Sequence, residues 1–187
     1  MSNRKNTTWD IGLEEIVMTT NRASEEARRI ANHDMKQAAL IHRDAVALAC
    51  CARLEMGFAR LAWLGLNHVL RQPNGSITAM LLEPADDSAR FSAIVIDAGT
   101  ADLMEEYITR YRPVLGGSAY LLPDDAGKAI RPTVLDRRIT ALMARFGLKG
   151  ITASELRFIL AEETLGHQSE TSSAANYRNP RFSKLLH

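Results

Sequence analysis

The sequence predicts an α+β fold, mainly helical, with a small antiparallel β-hairpin packed on the helices. Three observations carry this. Apolar residues recur at helical spacing in several separate stretches. Only two runs, Ser76 to Leu82 and Phe91 to Ile96, read as strands, and the polar Glu83 to Ala89 joins them as a hairpin. The order is helices, hairpin, helices, which leaves the sheet a minor part.

Residues 1 to about 40 are polar and helix-prone. Asp10 can cap a short helix through Ile16 and Val17, and Ser24 another through Ile30. This segment reads as an arm. A long helix is expected from about Arg43 to Leu66, because Val46, Cys50, Leu54, Phe58 and Leu61 recur on one face. Pro73-Asn74-Gly75 is a turn before the hairpin.

Beyond the hairpin, Thr100 can cap a helix carrying Leu103, Met104, Tyr107, Ile108 and Tyr111, and Pro113 stops it. Gly116-Gly117 and Tyr120 to Pro123 give a loop and a short extended piece. The next helix, Thr133 to Phe146, puts Leu135, Ile139, Leu142 and Phe146 on one face, with Gly147 past its end. Thr152 and Glu155 fit a capping box that starts a helix with Leu156, Ile159 and Leu160 inside. A final short helix is expected to hold Tyr177. The expected organisation is an N-terminal helical arm over 1–42, a main domain over 43–180 and a tail over 181–187.

Composition bounds the function. A chain of 187 residues with 46% hydrophobic content can bury a sizeable core in one domain. The net charge of +1 creates no strong overall field, so a polyanion would have to be met by local basic patches. Cys50 and Cys51 are adjacent, point in different directions on a helix and read as small buried apolar residues in a reducing compartment. His33, His42 and His68 lack metal-ligand spacing. MSNRKNTTWD has no apolar signal core, and Arg53, Glu55 and Arg60 interrupt the longest apolar stretch, Asp44 to Val69. A cytoplasmic protein without a membrane partner is the expectation.

Several phrases then line up in order. HRDAVALACCARLEMGFARLAWLGLNHV, PNGSITAMLL, FSAIVIDAGTADLMEEYITRYRP, SAYLLPDDAGKAI, TVLDRRITALMARFGLKGITASELR and LGHQSETSSAANY run from about Arg43 to Tyr177. This series resembles the catalytic domain of tyrosine recombinases of the phage-integrase type. The resemblance implies a protein of DNA recombination or integration that acts on double-stranded DNA without metal or other cofactor. It also implies a prokaryotic, nucleoid-associated protein from a mobile element or phage-derived region. A second copy of the chain, or a full-length recombinase, is the implied protein partner.

In such a domain a Tyr hydroxyl attacks a DNA phosphodiester and forms a phosphotyrosine. Two arginines meet the negative charge that grows on the phosphate oxygens. A His donor assists, and a Lys-type acid protonates the leaving sugar oxygen. By resemblance Tyr177 falls at the nucleophile, His167 in Leu165-Gly166-His167 at the donor, and Arg157 in Ser154-Glu155-Leu156-Arg157 at the second arginine.

The chain departs from the pattern at several places. Ser154 stands where the family has His, and Phe158 where it has His or Lys. An ungapped reading puts Gly57 at the first arginine and Arg60 at its acidic partner. Arg53 or Arg60 would reach the site only with the helix shifted by a turn. Between Ser76 and Ile96 there is no Lys, and Arg90 is the only basic residue. Arg157 and His167 lie closer in sequence than in the family. ELRFILAEETLGH could therefore be the later helix alone, with the earlier arginine motif lost.

Each of these residues also has a plainer reading. Tyr177 could be an amphipathic Tyr on a terminal helix, His167 a helix cap and Arg157 a solvated side chain. Arg137, Arg138, Arg145 and Lys149 form one basic helix face, which suits DNA phosphates or simply water. Arg178, Arg181 and Lys184 make a basic tail in which Phe182, Leu185 and Leu186 can anchor. The expectation is a DNA-binding protein of the recombinase type with weak or lost strand cleavage. The alternative is a protein-interaction module that keeps the fold without DNA. The two differ in whether Arg53, Arg60, Arg137, Arg145, Arg157 and His167 line one concave face.

Overall fold

The structure is a computed structural model and describes residues 12–53, 57–73, 76–83 and 90–160. Helix α1 (Leu13–Ile30) and helix α2 (Met35–Arg53) form an antiparallel pair. Helix α3 (Phe58–Ala62) follows, then a 3-10 turn (Leu66–His68) and strand β1 (Val69–Arg71). Strands β2 (Ile77–Glu83) and β3 (Arg90–Ile96) form the hairpin. Helix α4 (Ala98–Glu106) runs into a π-helical turn (Tyr107–Tyr111) and a 3-10 turn (Arg112–Leu115). Helix α5 (Pro132–Phe146) and a helical segment over 153–160, here α6, complete the described fold.

The first two helices differ from expectation. Residues 13–30 form one helix rather than two, because no Gly or Pro interrupts them. Ser24 does not cap. Its hydroxyl is buried and lies 3.3 Å from His42 Nε2. The Gly12 N–H donates to the Glu15 carboxylate at 2.9 Å, which closes the helix start.

Helix α2 begins at Met35, so the expected arm boundary at 42/43 falls inside a continuous helix. The helix ends at Arg53, and a separate α3 starts after Gly57. His42, Arg43 and Asp44 hid its start, since three polar residues in a row read as surface. All three are buried, and the run from Ala45 to Ala52 is buried with them. A helix apolar all round is a central helix. Indeed α1, α3, α4, α5 and the π-helical turn all pack against α2.

The sheet is antiparallel in the order β1-β2-β3. In register, Arg71, Ile77 and Ile96 lie side by side, as do Leu70, Thr78 and Val95. Ile77 and Ile96 are buried, while Leu70 and Val95 are exposed. The alternation gives the sheet one core face and one open face. Strand β1 went unpredicted because three residues are too few to show a period of two. Asn74 and Gly75 of the expected turn, and most of the Glu83 to Ala89 connection, lie outside the described residues.

Helix α4 is capped one turn earlier than expected: Asp97 accepts from the Thr100 N–H at 3.1 Å. The predicted α5 and its terminal Gly147, at φ +148°, agree with the structure. So does the Thr152–Glu155 box, in which each residue bonds the other.

Two buried guanidinium groups organise the chain between α4 and α5. Arg43 donates to Asp44 Oδ1 at 2.9 Å and to the Pro123 carbonyl at 2.8 Å, and lies 3.6 Å from Asp125. Arg112 donates to the carbonyls of Gly116, Ser118 and Tyr120. The Tyr107 hydroxyl donates to the Leu121 carbonyl. A loop has few carbonyl partners of its own, so these donors satisfy it. Burial pushes the Asp44 carboxyl up, and the adjacent Arg43 charge opposes that rise.

The imidazole of His42 is fully buried and stacked on Tyr111, with ring centroids 4.4 Å apart. Its Nε2 is 3.4 Å from Glu106, which also binds Arg28. Burial lowers the His42 pKa below 6.5, and the Glu106 charge works against that. Cys50 and Cys51 are buried free thiols, as expected. Among the described residues no helix is long and apolar enough to cross a membrane, and no three metal-ligating side chains cluster.

Arg43→Met leaves Asp44 buried without its partner. It is expected to cost about 3–5 kcal/mol in urea unfolding. The folded pKa of His42 lies below its unfolded value, so the unfolded chain binds the extra proton. Its contribution to stability is therefore full above about pH 6.5 and lost as pH falls below that. Melting curves from pH 7.5 to 5 are expected to fall less steeply for His42→Gln than for the wild type.

Candidate functional site

The described part of the predicted site lies where α3, α5 and α6 meet. Helix α6 is set on α5 by two polar bonds: the Ala153 N–H donates to Thr140 Oγ1 at 3.0 Å, and Ser154 Oγ to Asp136 Oδ2 at 3.1 Å. Buried Ile151, Ala153, Leu156 and Leu160 fill the space beneath. That docking turns Arg157 toward α3. Its guanidinium carbon lies 5.3 Å from the centre of the Phe58 ring, a cation–π distance.

Gly57 lies at the same place. A Cβ added there would sit 3.5 Å from Arg157 Nη2, an ordinary contact. Gly57 has φ −66° and ψ 147°, which any residue adopts. The ungapped resemblance puts the first arginine at this position. The structure brings the position within contact of Arg157, and a hydrogen atom stands where that side chain would be.

Helix α5 supplies Asp136. Its Oδ2 is held by Ser154, while Oδ1 is closed to water and has no hydrogen-bond partner among the described residues. Burial raises the pKa of the Cys51 thiol to about 12, Arg157 pulls it down and Asp136 pushes it up. Sequence reading missed Asp136, whose partner is 18 positions away and leaves no local signal.

The other predicted residues are spread out. Arg60 is exposed on α3. Arg53 is the last residue of α2. On α5, Arg145 donates to Glu26 of α1 at 3.1 Å, and Arg138 donates to Asp125 at 3.0 Å and lies 4.0 Å from Asp44. The side of α5 that carries these two pairs is the side away from α6, because Asp136 and Thr140 occupy the other. Arg137 points outward, with its Nε on the Thr133 carbonyl, and Lys149 is exposed past the helix end. Thus Arg137, Arg138, Arg145 and Lys149 do not present one free basic face. His167, Tyr177 and the basic tail lie outside the described residues.

A single half-buried guanidinium can hold one phosphate with two parallel N–H donors. A glycine at position 57 supplies no second one. Phe158, beside Arg157, is 65% exposed and carries no charge.

The architecture is that of the tyrosine recombinases. The chain superposes on the XerA recombinase with a TM-score of 0.58 at 14% identity, over 83% of this chain and 50% of that one. It superposes on the XerH site-specific recombinase bound to difH substrate in a pre-cleavage complex with a TM-score of 0.58 at 17% identity, over 85% and 42%. For XerH on a palindromic difH substrate after cleavage, the values are 0.55, 16%, 79% and 39%. The chain therefore spans half or less of the length of the recombinases it matches. No family model and no curated protein sequence matches it.

Gly57→Ala is expected to be tolerated, with a gain of about 0.4–1 kcal/mol from the stiffer unfolded chain. Urea unfolding checks it. A loss above 1 kcal/mol would mean that Arg157 cannot yield to a methyl group.

Proposed function

We propose that this chain is a DNA-binding protein of the site-specific tyrosine recombinase type, taking part in DNA recombination or integration. It binds double-stranded DNA and cleaves it weakly or not at all. The observation that carries this reading is the Arg157 guanidinium against Gly57, on a recombinase fold.

In the reading, Arg157 takes one phosphate of the backbone. Tyr177 is then the group that attacks that phosphate, and His167 the donor to one of its oxygens, as the resemblance implies. Position 57 contributes no donor. Loss of one charge-stabilising donor lowers a rate on the order of a hundred- to a thousand-fold, so cleavage is residual. Losing several donors that act together is not additive, and the sum of such losses overstates the effect. Arg60, Arg137 and Lys149, exposed among the described residues, add phosphate contacts that position without reading sequence. Affinity is then low and falls steeply with salt.

A second reading is a protein-interaction module that keeps the fold. What favours it is the intramolecular pairing of Arg138 and Arg145 with Asp125 and Glu26, which spends basic charge inside the molecule.

The test uses duplex DNA and suicide substrates that trap a covalent intermediate. Salt-dependent retention of duplex, with at most a trace of adduct that Tyr177→Phe abolishes, is the expected result. Strong adduct formation would overturn the weak-cleavage part. Absence of both retention and adduct would leave the interaction module.

A further inference from the structure

Among the described residues, Arg157 is held by an aromatic ring and by nothing polar. Arg43, Arg112 and Arg138 are buried or half-buried as it is, and each gives N–H groups to carboxylate or carbonyl oxygens. Arg157 donates no hydrogen bond and forms no ion pair within the described residues. Its guanidinium carbon stands over the Phe58 ring, 5.3 Å from the centre. Phe58 is itself buried on α3, and α3 packs on α5. Gly57, beside it, brings no side chain up to Nη2, where a Cβ would stand 3.5 Å away.

We propose that Phe58 is a positioning residue for Arg157: its ring holds the guanidinium in place and leaves the N–H groups to a phosphate. This deepens the DNA reading above and rests on it for its biological setting. From the sequence, Phe58 was one apolar position on a helix face and nothing more.

The physical argument turns on what does the holding. A free arginine side chain has many rotamers, and ordering them opposes ligand binding. A guanidinium ordered in advance avoids that cost. A carboxylate would order it by accepting its donors and cancelling its charge, as Asp125 does for Arg138. A ring attracts the cation through its negative face, offers no oxygen to the N–H groups and carries no net charge. Donors and charge then both remain for an anion, which two parallel N–H groups can meet. The backbone end of Arg157 is fixed as well, because Ala153 and Ser154 dock α6 on α5.

Phe58→Leu keeps an apolar side chain of similar size and removes the ring. Pentafluorophenylalanine at position 58 keeps a ring and reverses the charge on its face. The Arg157 Nε–H signal, assigned by its loss in Arg157→Lys, is followed by NMR in the full chain. Its relaxation reports how ordered the guanidinium is. Its movement on titration with inorganic phosphate, at constant ionic strength, reports affinity. In both variants the Nε–H is expected to become less ordered, and phosphate affinity to fall on the order of two- to fivefold. Salt-dependent retention of duplex DNA is expected to fall with it.

Ile41→Val, which trims a buried side chain in the N-terminal half of α2, is the control for lost packing. It is expected to leave order and affinity unchanged. Melting curves establish that each variant is folded at the titration temperature. If Phe58→Leu is not, the fluorinated ring alone decides.

Phosphate affinity unchanged in the folded variants, or reduced while the Nε–H stays as ordered as before, would overturn the proposal. So would a loss that Ile41→Val reproduces, or one in Phe58→Leu that the fluorinated ring does not share. A wild-type Arg157 signal that phosphate leaves unmoved would overturn it too, and duplex retention in that case would leave the DNA reading standing. A phosphate response that needs the ring, without retention of duplex, would keep the proposal and remove the DNA reading instead.

Discussion

The fold depends on keeping one charge, that of Arg43, inside the protein. A guanidinium with no exposed surface is costly unless its donors are matched. Here Asp44 accepts from Nε and the Pro123 carbonyl from Nη1, with Asp125 close by, while Nη2 is met only by the charge of Asp44, 2.8 Å away, without a hydrogen bond. Because the Arg43 side chain leaves the middle of α2, matching it forces residues 123–125 against the central helix. Arg112 and Tyr107 then gather the carbonyls from Gly116 to Leu121. The connection between α4 and α5 is thereby held in place, and with it the start of α5. Everything that α5 positions, including Asp136 and the docking of α6, follows from that arrangement.

In the region where α3, α5 and α6 meet, packing and polar contacts answer to different constraints. The packing beneath it is complete, because Leu156, Leu160, Leu135 and Ile139 bury their side chains irrespective of any substrate. In the polar layer above, Gly57 lies against Arg157, and Ser154 is tied to the carboxylate of Asp136. Core positions answer to the hydrophobic effect, which any apolar residue of suitable size satisfies. Site positions answer to a transition state, and a change there leaves the fold standing.

Basic residues illustrate the same separation. On paper, Arg137, Arg138, Arg145 and Lys149 read as one surface. In space, Arg138 and Arg145 belong to the joints between α5 and its neighbours, held by Asp125 and Glu26. Pairs as exposed as these add little stability, but they do settle where the charge points. A helical wheel drawn on one helix cannot know this, since both acids come from other elements.

Much was written locally. The hairpin, α5 with its terminal Gly147, and the Thr152–Glu155 box each rest on contacts within a few residues, so period and capping chemistry were enough to read them. The course of α2 and the placement of Asp136 were not legible. His42, Arg43 and Asp44 look like a polar surface until Pro123, Asp125, Glu106 and Tyr111 are brought to them from far along the chain. The single helix α1 was misread for the same reason: Ser24 serves His42 on another helix and not its own backbone. The amino-acid sequence by itself determined the α+β class, the bounds of the hairpin strands and of α5, the start of α6 and the likeness to recombinases, since these are periodic and local. Only the tertiary structure decided which polar residues are buried, which charges are already paired and that Asp136 holds Ser154 while Arg157 meets Phe58, because each depends on a partner distant in sequence.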